Sequence, residues 1–325
     1  MSGEFVFFQW GLLESKKDYS YVIMQEAIDN KIVYLYTGPH FFRYPRVASI
    51  HTNICKRYPH LARMIYPLYL PRGIHKKENI FLFNEWHPCL MNLGFFKWLK
   101  KKFGGKTVLI LRNMIINKKY PMVNGVELSK LKQIFDLIVT NEIRDAKQYN
   151  LFFLPNPFSI IYNQRSKIEY DICFIGNNKG REKILTKIAQ KANENDVIWN
   201  FKIVGKTRNT SFLEHTNYQP YTEIIKQDMC ANCILEILQP GQSGYTLRFQ
   251  EAVCLGKKLL TNNKLVKNEK YYNPQYIQVF ESPEDIDWDF VKEKKKVDYD
   301  YQGEYSPIVF LNKIKRRLEE KNSYE

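Results

Sequence analysis

Apolar positions in this chain fall into two kinds of run that alternate along its length. Short β-branched and aromatic runs predict strands at Phe5–Trp10, Lys31–Tyr36, Ile80–Asn84, Thr107–Arg112 and Leu137–Thr140. Apolar residues at helical spacing predict helices at Tyr19–Asn30, Leu93–Phe103 and Leu128–Ile134, with a short piece at Ile143–Tyr149. Val22, Ile23 and Ala27 share one face of the first helix, and Gly104-Gly105 ends the second. The pattern breaks at Leu154-Pro155-Asn156-Pro157 and then restarts. Strands follow at Tyr170–Ile175, Trp199–Val204, Cys233–Leu238 and Lys258–Thr261, and helices at Arg181–Asn193, Glu223–Cys230 and Leu247–Leu255. Gly256 stands as a C-terminal cap. A final helix, Pro307–Lys321, carries a mixed-charge face.

Alternating strands and helices imply parallel sheets with crossover helices. Two such series on either side of a two-proline break predict an α/β protein of two Rossmann-like domains with a cleft between them. The expected boundaries are 1–157, 158–305 and a C-terminal helix at 306–325. In such sheets a ligand sits at the carboxyl ends of the strands. No internal repeat is present.

Composition narrows the class. The 325 residues are 44% hydrophobic and 15% aromatic, enough to bury a core, which excludes global disorder. Phe5–Leu13 lacks a preceding basic stretch and reads as a first strand rather than a signal peptide. The longest apolar stretch, Ile80–Leu99, is broken by Asn84, Glu85, His87 and Pro88, so no transmembrane helix is expected. The six cysteines, at 55, 89, 173, 230, 233 and 254, lie mostly alone in apolar runs and read as reduced thiols of a cytoplasmic protein. Cys230-x-x-Cys233 lacks a second Cys or His pair, so no metal site is expected there.

Charge adds an asymmetry. The net charge is +15; residues 1–160 sum to +12 and residues 161–325 to +3. The excess lies in Arg43–Arg72, Lys76–Lys77, Lys97–Lys106 and Arg112–Lys119. A solvated basic face accounts for this, as does contact with an anionic membrane surface. Phe95-Phe96-Lys97-Trp98-Leu99-Lys100 mixes aromatics with lysines as interfacial helices do. No nucleic-acid-binding motif accompanies the charge, so no nucleic acid partner is expected.

Three loops after strands in the second half carry candidate chemistry. Gly176-Asn177-Asn178-Lys179-Gly180-Arg181 joins a strand to a helix with two glycines and two cations, a phosphate cradle or a plain turn. Gly205-Lys206-Thr207-Arg208 adds two cations on the same expected edge. The third runs strand, glycine loop, helix: Gln242-Ser243-Gly244-Tyr245-Thr246-Leu247-Arg248-Phe249-Gln250-Glu251. Gly244 and Thr246 stand where backbone N–H groups at a helix start bind a diphosphate, and Thr246 can cap the helix. Arg248 is placed to neutralise phosphate and Glu251 to accept from ribose hydroxyls.

Ser243-Gly244-Tyr245-Thr246 through Glu251-Ala252 to Gly256-Lys257-Lys258-Leu259-Leu260-Thr261 resembles the nucleotide-sugar motif of GT-B glycosyltransferases. The match covers about 20 residues and is supported by Phe174–Lys183, which resembles the glycine-rich loop of the family. In these segments the chain looks like bacterial lipopolysaccharide or capsule glycosyltransferases. Glu251 matches the second Glu of the family's paired acids; Ser243 replaces the first, Thr246 a glycine and Lys258 a proline.

The resemblance implies a metal-independent transfer from a nucleotide sugar to a polysaccharide or lipid-linked glycan. It implies no cofactor, and a protein of the cytoplasm resting on the inner face of the membrane. Lys179, Arg181, Lys206, Arg208 and Arg248 would stabilise the leaving diphosphate. A general base is expected in the first half, from Glu85 or His87 after one strand or His40 after another. Each also has a plainer reading as a hydrogen-bonded loop residue. Trp86 can stack on a sugar or fill the core. A degenerate subunit that binds without turnover and a nucleotide-sugar epimerase of the same fold are the alternatives.

Overall fold

The computed structural model describes residues 6–10, 19–36, 50, 53–54, 57–69, 79–91, 93–117, 120–161, 166–204, 213–216 and 219–322. The chain divides into two compact units. One contains Met1–Lys16, Ile23–Pro155 and Pro307–Glu325, the other Lys17–Val22 and Asn156–Ser306.

The first unit is built on a six-stranded parallel sheet. Its strands, from one edge to the other, are Val33–Tyr36, Val6–Trp10, Asn79–Asn84, Lys106–Leu111, Leu137–Thr140 and Phe152–Phe153. Ile80, Phe81, Leu82 and Phe83 are all buried, as expected for a central parallel strand covered on both faces. The helix Leu93–Phe103 sets Phe95, Phe96 and Leu99 into the core and meets Phe83 edge-on, its ring 4.9 Å from that of Phe96. This corrects the comparison with an interfacial helix. Its buried aromatics are spent on the core, and only Lys97, Lys101 and Lys102 lie exposed along its outer face.

Asp136 fixes the start of the next strand. Its carboxylate accepts from Thr107 N (2.7 Å) and Thr107 Oγ1 (2.9 Å) and pairs with Lys100 (2.8 Å). Gly105 sits between them at φ +81°, a left-handed conformation suited to glycine. A Cβ there would lie 2.4 Å from the Asn79 carbonyl oxygen.

The second unit carries another six-stranded parallel sheet, ordered Glu214–Thr216, Trp199–Val204, Tyr170–Asn177, Ala231–Glu236, Lys258–Thr261 and Ile277–Val279. Numbered along the chain within this unit, that order is 3-2-1-4-5-6, the Rossmann arrangement. The helix Glu182–Glu194 buries Leu185, Ile188, Ala189 and Ala192 on one face of the sheet. Gly256, at φ +60°, closes the helix Leu247–Leu255 as the expected left-handed cap.

Three features depart from the sequence pattern. The expected helix Tyr19–Asn30 is two pieces, Tyr19–Val22 and Gln25–Asp29. Tyr21, Val22, Ile23 and Met24 are all buried, and one face of a regular helix cannot hold four successive residues. Ile116–Asn117, Pro121–Val123 and Val126–Glu127 form a small antiparallel sheet turned by Asn124 and Gly125, both at positive φ. The C-terminal helix, Pro307–Asn322, belongs to the first unit, where it packs on Gln25–Asp29 and Lys321 Nζ donates to the Asp136 carbonyl at 3.0 Å.

Gly105→Ala is expected to destabilise the protein by more than about 1 kcal/mol, because both the positive φ and the Asn79 carbonyl oppose a side chain. Urea denaturation of wild type and variant checks this; an unchanged midpoint would contradict the close approach.

Candidate nucleotide site

In the second unit the chain reverses its direction of sheet-building between Tyr170–Asn177 and Ala231–Glu236. The loops leaving these two adjacent strands turn to opposite faces, which opens a crevice at their carboxyl ends. Residues 177–181 leave the first strand and residues 237–246 the second, so two of the three predicted loops meet here.

Arg181 ties the two loops together. Its guanidinium donates to the carbonyls of Asn177 (2.8 Å) and Ile237 (2.9 Å) and lies over the Phe174 ring, 5.3 Å from the centroid. Burial, with Arg248 nearby, lowers its pKa to about 10, so it stays charged at neutral pH. Gly176 and Asn177 end the strand, and Lys179 stands exposed at the tip of the turn, held at φ +42°. Lys206 and Arg208 lie outside the described residues, as does His40.

Thr246 is the N-cap of the nine-residue helix Leu247–Leu255; its hydroxyl accepts from Arg248 N at 3.1 Å. The same hydroxyl donates to Glu236 Oε1 at 2.5 Å, and Thr246 N donates there at 3.2 Å. Glu236 ends its strand fully buried, and its second oxygen accepts from Thr261 Oγ1 at 2.5 Å. Burial raises its pKa, opposed by the donors from Thr246 and Thr261. Asn263 Nδ2 completes the brace by donating to the Gly244 carbonyl at 3.3 Å. The N–H groups of Gly244 and Tyr245 make no hydrogen bond within the described residues. They, rather than that of Thr246, stand ready for an anion.

Three predicted contacts have other work. Tyr245 is buried, packs in a tilted pair with Phe249 at 5.7 Å between ring centroids and donates to the Leu265 carbonyl at 3.5 Å, so its ring belongs to the core. Arg248 is enclosed: Nη1 donates to Asp228 and to Glu251 Oε2 (2.7 Å), and Nη2 to the Ile175 carbonyl. Glu251 is 1% exposed, and its other oxygen accepts from Tyr221 at 2.5 Å. The expectation of a ribose contact at Glu251 and a phosphate contact at Arg248 therefore gives way to a buried cluster beneath the crevice. Asp228, Tyr221, Glu236 and Asn263 were missed from sequence. Only Glu236 carried a signal, a lone acid ending an apolar strand before a glycine loop.

In the first unit the sheet reverses between Val6–Trp10 and Asn79–Asn84, and Glu85, Trp86 and His87 follow the second of these. Glu85 Oε2 accepts from the N–H groups of Arg112 and Asn113, both at 3.0 Å, and Oε1 from Asn113 Nδ2. It clamps the neighbouring strand end instead of facing a substrate hydroxyl. His87 is buried, Nδ1 lies 3.0 Å from Asn84 N, and burial lowers its pKa to about 4. That is far below the operating range of a base at neutral pH. Trp86, by contrast, is 52% exposed rather than in the core. Asp145 is buried and accepts from Ile115 N at 2.7 Å. Among the described residues no group of three His, Cys, Asp or Glu could hold a metal ion.

The molecule resembles an alpha-glucosyltransferase solved with UDP and a 13-mer DNA, at 11% identity over 97% of this chain and 98% of that one, with a TM-score of 0.55. The fold is that of the GT-B glycosyltransferases. A sucrose-phosphate synthase from Thermosynechococcus elongatus aligns at 9% identity over 87% of each chain, TM-score 0.49. A T4 phage BGT solved with UDP-glucose aligns at 12% over 97% of this chain and 96% of that one, TM-score 0.47. No family model matches the sequence, and neither does any curated protein.

Arg248→Ala is expected to cost about 3–5 kcal/mol of stability, since it leaves two buried carboxylates uncompensated. A urea midpoint close to wild type would show that the cluster is not closed. Asp228 supplies a pH dependence. Burial raises its pKa from 3.8 to about 7, Arg248 opposing and Glu251 reinforcing the rise. The folded state thus holds a proton that the unfolded chain releases. This contribution is complete below about pH 4 and is lost as pH rises through about 7. The melting temperature should fall between pH 5 and 8 (about neutral) more steeply in wild type than in Asp228→Asn. Parallel profiles would contradict this.

Proposed function

We propose that this protein is a glycosyltransferase that binds a nucleotide-sugar donor in the crevice of its second unit. The observation that carries the reading is the meeting of the 177–181 and 237–246 loops at the switch point, beside a capped helix start. Backbone N–H groups of Gly244 and Tyr245, with Lys179 and Arg181, would hold the diphosphate and stabilise it as it leaves, without a metal. The acceptor is a polysaccharide or lipid-linked glycan of the bacterial surface, approached from the membrane. Supporting that approach, Leu61 and Met64 are 55% and 77% exposed in the Pro59–Ile65 helix, beside exposed Arg57 and Arg63.

A second reading, binding without turnover, is favoured by one fact: Glu85 and His87 are both committed to local hydrogen bonds.

A thermal-shift series with UDP, GDP, CMP, dTDP and ADP tests the donor site. UDP comes first because the resembling glucosyltransferase was solved with it. One nucleoside diphosphate is expected to stabilise the protein, by about 2.7 kcal/mol at a hundredfold excess over Kd. The effect should occur without Mg²⁺ and weaken in Lys179→Glu. If no nucleotide shifts the protein, the donor reading fails. Binding with no release of nucleoside diphosphate from any sugar nucleotide would leave the binding module. Salt-sensitive binding to arbitrary duplex DNA would move the acceptor to nucleic acid.

A further inference from the structure

A pocket of about 570 Å³ opens in the second unit at the amino-terminal end of its sheet. It lies beside Asn232, the second residue of the Ala231–Glu236 strand, and Lys257, which precedes Lys258–Thr261. The nucleotide crevice is at the other end of the same strands. A six-residue strand spans about 17 Å, so the two places are separate.

The walls combine cations with apolar surface. Lys257, Lys294, Lys295 and Lys296 line the pocket, with Met229, Leu255 and Val297, and no described residue lining it is acidic. Two of the cations are already engaged: Lys257 Nζ donates to the Met229 carbonyl, and Lys295 pairs with Glu293 at 2.9 Å. Lys294 and Lys296 are exposed and make no ion pair within the described residues.

The segment that presents them is anchored at both ends. Before it, Asn232 Nδ2 donates to the carbonyls of Val291 (2.7 Å) and Glu293 (3.0 Å). Buried Lys258 reaches the carbonyls of Phe290 and Glu293. After it, Tyr299 OH donates to the Lys257 carbonyl at 2.9 Å. The lysines are therefore carried beside the pocket on a segment braced at both ends rather than on a free tail. Lys294 and Lys296, without an ion pair, and the engaged Lys257 leave this wall with an excess of positive charge and no acidic lining residue, which attracts a multiply charged anion. Ammonium groups bind phosphate as point charges, and the volume suits a small ligand.

We propose that this pocket is a second anion site, distinct from the donor crevice, for a compact ligand bearing several phosphates, either free or as a lipid headgroup. This site does not depend on the glycosyltransferase reading.

The test is calorimetric titration of the full chain with tripolyphosphate and with inositol trisphosphate, and co-sedimentation with phosphatidylcholine vesicles carrying phosphatidylinositol bisphosphate. The paired variant Lys294→Glu/Lys296→Glu is compared with Lys187→Glu/Lys267→Glu, which changes the net charge equally at exposed lysines elsewhere in the unit. Saturable binding, weakened at least about tenfold in the pocket pair and little changed in the control pair, supports the site. Binding of the soluble anions assigns a free ligand; binding of vesicles alone, lost in the same pair, assigns the headgroup. Equal weakening in both pairs shows general electrostatic attraction and overturns the proposal. So does the absence of binding to every probe.

Discussion

The guanidinium of Arg248 joins three elements that the chain brings together from distant positions. It reaches Asp228 at the end of one helix, Glu251 on its own helix and the Ile175 carbonyl in the central strand. The pairing is enclosed, so its geometry is demanding: a buried carboxylate left without its partner is far more costly than an exposed one. Burial, with Glu251 adding to it against the opposing Arg248, raises the pKa of Asp228 and favours a proton there. The strand that ends in the 177–181 turn and the helix that starts at Thr246 are held to each other from below. The crevice above them inherits its shape from that bond.

A second tier of hydrogen bonds works above the first. Arg181 closes the gap between the Asn177 and Ile237 carbonyls, and Glu236 braces Thr246 and Thr261. Two N–H groups of the glycine loop remain available because the third is used by Glu236. The donors left at the proposed site are mostly backbone N–H groups, which is the chemistry the proposed diphosphate needs. Trp86, Leu61 and Met64 are, by contrast, exposed.

Much of the architecture was legible in the residues. Leu93–Phe103, Leu137–Thr140, Ile143–Tyr149, Trp199–Val204, Leu247–Leu255 and Lys258–Thr261 have the bounds that hydrophobic periodicity and glycine placement predict. The 3.6 and 2.0 periods are local properties, and so are capping and the left-handed turn at Gly256. The small sheet at 116–127 escaped notice because two- and three-residue strands carry too few positions to show a period. The loops of the candidate site were also readable, since glycines, a capping threonine and cations after a strand have a direct physical meaning.

What the loops' neighbours do was decided by tertiary structure. Charged residues look alike in sequence whether they meet a ligand or one another. Arg248 and Glu251 sit three apart on a helix, and nothing local says that Asp228 and Tyr221 will close over them. Glu85 and His87 follow a strand as catalytic groups do, yet the neighbouring backbone claims them. The sequence by itself determined the alternation of elements, the two parallel sheets and the glycine loops that follow their strands. The fold alone decided which polar groups would be buried against one another and which left facing solvent, because that depends on partners far away along the chain.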